Sequence, residues 1–106
     1  MKAITEKQLD DETIQTIKGC FQAVLEDLFN GEPPVVISAI ESFMKTASAH
    51  NSEIIIKVTL SHKNTSRRIE FGEITKIKER VVSNITQNNE LKLRAKIEDV
   101  EINFDN

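Results

Sequence analysis

A chain of 106 residues, 39% hydrophobic with three Gly and two Pro, is long enough for one modest core and too apolar to stay disordered. Seventeen Asp and Glu against fourteen Lys and Arg make it mildly acidic, so affinity for phosphate has to come from a local patch, not overall charge. A single cysteine excludes an intramolecular disulfide framework, no run of about 18 apolar residues offers a bilayer span, and residues 1–7 lack the apolar stretch of a secretory signal. These features set the expectation of a cytoplasmic protein with no membrane segment.

Residues 1–9 are polar and are expected to form a flexible N-terminus, leaving 10–106 as a single α+β domain. Asp10, Asp11 and Glu12 open the clearest helix. Ile14, Ile17, Phe21, Val24, Leu25, Leu28 and Phe29 recur at three- and four-residue steps and form one apolar stripe. Asp10 or Asp11 suits the N-cap, and Asn30-Gly31 followed by Pro33-Pro34 supplies the stop. A second helix is expected over about 34–50, where Val36, Ile40, Phe43, Met44 and Ala47 give another stripe. A short strand at Val35-Val36-Ile37 is the alternative for its start.

After Asn51-Ser52 the period changes to two. Ile54, Ile56, Val58 and Leu60 alternate with less uniform partners, as in a strand covered on one face. Lys63-Asn64-Thr65-Ser66 has turn composition, and Ile69 and Phe71 begin a returning strand. Residues 73–86 match two templates. Ile74, Ile77, Val81 and Ile85 suit a helical stripe, yet apolar odd positions at 69, 71, 77, 81 and 85 suit a long strand. The β-branched content favours the strand, with a bulge near Gly72. Thr86-Gln87-Asn88-Asn89 reads as a turn before a final strand over 91–104. That strand changes phase at Glu98-Asp99: Leu91, Leu93, Ala95 and Ile97 are odd, whereas Val100, Ile102 and Phe104 are even. One extra residue restores a common face, which predicts a bulge there. The predicted fold is α+β, with two N-terminal helices packed on one face of an antiparallel three-stranded β-meander.

Charge is unevenly distributed. Residues 57–96 carry ten cations against four glutamates. In the predicted meander, Lys57, Arg68, Lys76, Lys78, Arg80, Lys92, Arg94 and Lys96 share the sheet face away from the helices. Such a face suits phosphates or an acidic protein, and it equally suits plain solvation and edge protection. No aromatic ring interleaves with these cations, so base stacking is not offered.

Other reactive side chains have structural explanations. Cys20 falls mid-helix beside the apolar stripe, as a small buried thiol does. His50 and His62 stand at element ends without metal-ligand spacing, and helix capping accounts for Asp10, Asp11 and Glu12. Gly31 and Gly72 are isolated and form no phosphate cradle. The expectation is a small non-catalytic protein that binds another protein as an adaptor, inhibitor or regulatory subunit and self-associates as a homodimer. No catalytic residue, metal or cofactor is expected. Nucleic-acid binding through the basic sheet face is the alternative.

Overall fold

The computed structural model describes residues 5–46, 52–63, 68–88 and 94–104. The chain runs β1 (Thr5–Gln8), α1 (Asp11–Leu28), β2 (Val35–Thr46), β3 (Ser52–His62), α2 (Phe71–Gln87) and β4 (Arg94–Phe104). The four strands form one sheet in chain order. β1 and β2 are antiparallel, as are β2 and β3, while β4 lies parallel to β3. A parallel neighbour cannot be reached by a tight hairpin, and α2 supplies the crossover. The α+β class is as expected. The all-antiparallel meander with two N-terminal helices is replaced by a mixed sheet with a helix before and a helix between its strands.

α1 begins where its capping chemistry places it. The Asp10 carboxylate accepts from the Thr13 backbone N–H at 2.8 Å. At the other end Asn30 and Gly31 take φ of 55° and 98°, and the Gly31 N–H donates to the Glu26 carbonyl at 2.8 Å. This left-handed exit is the expected Asn-Gly stop. Ile17, Phe21, Val24 and Leu25 are buried on its inward face.

The expected helix over 34–50 is instead strand β2 as far as Thr46; residues 47–50 lie outside the described residues. Register explains the misleading pattern. Ile37 faces Leu60 and Ala39 faces Thr59, which leaves Ser38 as an inserted residue. The expected stripe draws on both faces of the strand, Val36 and Phe43 from the open side and Ile40 and Met44 from the covered side, and apolar residues on both faces imitate helical spacing. The Ser38 hydroxyl donates to the Thr59 carbonyl at 2.9 Å and ties the bulge to β3. Residues 5–8, expected within a flexible terminus, pair as β1 with Phe43 to Thr46.

The expected strand over 69–86, with its bulge near Gly72, is also corrected. Residues 71–87 form α2, with Gly72 in the first turn. The Glu73 carboxylate reaches back to accept from the Glu70 N–H at 3.1 Å, a return bond of the capping-box kind. Ile77, Val81 and Ile85 are each fully buried, so the helical stripe prevails over β-branched propensity.

β4 keeps its expected phase change. Ile97 faces Ile56 and Asp99 faces Lys57, so Glu98 is the extra residue. Ala95, Ile97, Val100 and Ile102 thereby join the helix-covered side, together with Ile54, Ile56, Val58 and Leu60 of β3. α1 lies against β2 and α2, and α2 against β4. No helix among the described residues is long and apolar enough to cross a membrane.

Two substitutions test this packing. Phe21 has no exposed surface, so Phe21→Ala should lower the unfolding free energy by about 3–5 kcal/mol in urea titration. Ser42 is buried on the core side opposite Ile56, and its hydroxyl has no hydrogen-bond partner among the described residues. Ser42→Ala should therefore raise stability, by about 1 kcal/mol, as a higher midpoint in the same titration.

Candidate interaction surface

The helices cover one side of the sheet and leave the other open, so the open side and the free strand edges are the candidate surface. Strand alternation and register define who stands there. β2 contributes Val36, Ala39, Glu41, Phe43 and Lys45; β3 contributes Glu53, Ile55, Lys57, Thr59 and Ser61; β4 contributes Arg94, Lys96, Asp99, Glu101 and Asn103. Ile55 is only 4% exposed although it is outside the core cluster; its opposite neighbours are Phe43 and Lys96.

Of the eight cations expected on one face, the structure brings Lys57, Arg94 and Lys96 onto the open side. Lys76, Lys78 and Arg80 belong to α2, Arg68 precedes that helix, and Lys92 lies outside the described residues. The correction follows from α2 itself: a helix replaces the strand that would have carried Lys76, Lys78 and Arg80 outward. Arg80 pairs with Asp27 of α1 at 2.5 Å, and with both side chains well exposed the bridge contributes little to stability. Lys78 and Lys96 both line an open hollow between α2 and β4 of about 420 Å³, together with Glu79, Val82, Ala95 and Ile97.

Acids interrupt the cations that remain. Across β2, β3 and β4, one row reads Lys45, Glu53, Arg94 and another reads Glu41, Lys57, Asp99. Each central charge stands between two opposite ones. Lys57, Glu41, Asp99 and Glu101 also line a shallow depression of about 240 Å³ on this side. A phosphate backbone laid across the open face would meet the carboxylates of Glu41, Glu53, Asp99 and Glu101 along with its cations. The sequence holds these acids in plain view, but only the register reveals that they share rows with the cations.

The other reactive groups stay apart. Cys20 is half-buried against the core, and burial raises its thiol pKa, which keeps it in the unreactive protonated form. His62 is buried, with its ring 5.2 Å from that of Phe104 and tilted by 38°. His50 lies outside the described residues. Among the described residues no three His, Cys, Asp or Glu side chains converge to hold a metal ion.

β4 forms one edge of the sheet. This strand has eleven residues, pairs with β3 on one side, and meets no strand on its other side among the described residues. The phase change at Glu98 is the signal that defines its faces. Comparison with protein families, with curated proteins and with solved structures finds no match to the chain.

The charge rows make a direct prediction. Lys57→Glu would place a third acid between Glu41 and Asp99 on adjacent strands. It should lower stability by on the order of 1–2 kcal/mol at low salt. The loss should shrink in about 1 M salt, where the Debye length falls to about 3 Å. Paired urea titrations at the two ionic strengths check both parts; equal losses would mean that Lys57 acts through packing.

Proposed function

We propose that this protein works by binding another protein, in an adaptor, inhibitor or regulatory role, and that it does so by accepting a strand along the edge of β4. The observation that carries the proposal is the one-sided pairing of β4: ten of its eleven residues face β3, and among the described residues none faces a further strand. An unpaired edge presents a row of backbone donors and acceptors that a second strand satisfies. The two edges of the sheet differ: on one side β1 covers only Phe43 to Thr46 of β2, and the rest of β2 is broken by the bulge at Ser38, whereas β4 is a long edge that carries no proline and borders the hollow against α2. Main-chain pairing gives such a site its affinity, and the hollow and flanking charges give it selectivity.

The nucleic-acid alternative draws its support from the cations of residues 57–96. It loses support from their dispersal onto α2 and from the acids that share their rows on the open face. Both readings meet in one experiment. Carbodiimide joins lysines to carboxylates in contact, and ultraviolet light joins proteins to nucleic acid. Cross-linking of the tagged chain in intact cells, followed by peptide mapping, should give protein–protein links at Lys96, Asp99 and Glu101. Links to nucleic acid at Lys57 and Lys96 in place of these, or protein links confined to the helices, would overturn the proposal.

A further inference from the structure

The charges on β4 are ordered along the strand. On the open face, Arg94 and Lys96 occupy the first half, and Asp99 and Glu101 occupy the second. The bulge creates this arrangement. Without Glu98 as an inserted residue, the even-numbered cations and the odd-numbered acids would point to opposite faces. All four are exposed.

A strand that is positive at its start and negative at its end is complementary to itself when reversed. We infer that the strand accepted by β4 is the β4 of a second copy, added antiparallel about a two-fold axis. The register that matches charge sets Arg94 opposite the partner's Glu101 and Lys96 opposite the partner's Asp99. The axis repeats both pairs, so four opposite-charge contacts form from two. The same register is consistent on the covered face, where Ala95 meets the partner's Val100, both apolar and both on the helix side. The axis falls between Ile97 and Glu98, so the irregular ladder of the bulge lies at the centre and each regular half pairs with the opposite half. The partner strand also closes the open side of the hollow formed by Lys78, Val82, Ala95 and Ile97. Two four-stranded sheets thereby become one continuous sheet of eight strands.

This inference rests on the reading of β4 as a protein-binding edge, and its test separates the two. The wild-type chain should run at twice its 12.0 kDa mass in sedimentation at micromolar concentration. One variant carries Arg94→Glu and Lys96→Glu; the other carries Asp99→Lys and Glu101→Lys. Each alone should self-associate on the order of a hundredfold more weakly, because all four contacts become like-charged. An equimolar mixture of the two should recover a dimer, since every acid again meets a cation. Dimers that persist in either variant alone, or a mixture that stays monomeric, overturn the inference. Circular dichroism confirms that each variant folds.

A second measurement needs no substitution. Carbodiimide treatment of mixed isotope-labelled and unlabelled wild-type chains should join Lys96 of one copy to Asp99 of another. Absence of that link in the chain at dimer concentration overturns the inference independently of the variants. A wild-type chain that remains at 12.0 kDa over a tenfold dilution series also overturns it, while cellular cross-links from β4 to a different protein would leave the edge-binding proposal standing.

Discussion

Everything in this fold is arranged around β3, the strand that pairs along both of its sides. Its alternate residues Ile54, Ile56, Val58 and Leu60 are nearly devoid of exposed surface, and the helices lie over them. That one row of side chains fixes which face of the sheet is covered. β2 and β4 must then present their own apolar residues on the same side, despite running in opposite directions. Each manages this with a single inserted residue, Ser38 or Glu98. Bulges let an imperfect sequence period serve a strict two-sided surface.

The elements that are legible in sequence are those whose signals are local. α1 has an aspartate cap, an unbroken stripe and an Asn-Gly exit, and all three act within the helix itself. β3 alternates without interruption. β4 announces its bulge because two clean runs of opposite parity flank Glu98. β2 misleads because it is apolar on both faces: Val36 and Phe43 on one side and Ile40 and Met44 on the other together imitate a helical stripe, and the bulge at Ser38 breaks the alternation that would have told them apart. α2 misleads because its β-branched residues carry strand propensity, while its burial against α1 and β4 depends on partners distant in the chain. Its Glu70 start also lacks the usual serine or threonine signature.

The charge pattern shows the same division between local and distant information. Composition alone marks residues 57–96 as basic. Whether those cations form a patch depends on which elements carry them and on what stands beside them. Reassigning residues 71–87 to a helix removes three of them from the sheet, and the register sets acids next to those that stay. The surface that results is balanced across strands and polarised along β4. Balance across strands contributes to folding, whereas polarity along an edge has meaning only for something that pairs with that edge.

The parallel pairing of β3 and β4 also bears on how the chain acquires its shape. β2 and β3 are neighbours in sequence and can meet as soon as both leave the ribosome. β4 follows only after α2 has been made, so its docking closes a much longer loop. During that interval one side of β3 stays without a ladder partner, and the apolar row beneath α2 lacks Ala95, Ile97, Val100 and Ile102. A strand that apolar, held open on one side, is a template for the wrong neighbour. The nascent chain is thus most vulnerable to aggregation between the emergence of β3 and that of β4, and that delay sets how long a chaperone would have to shield it.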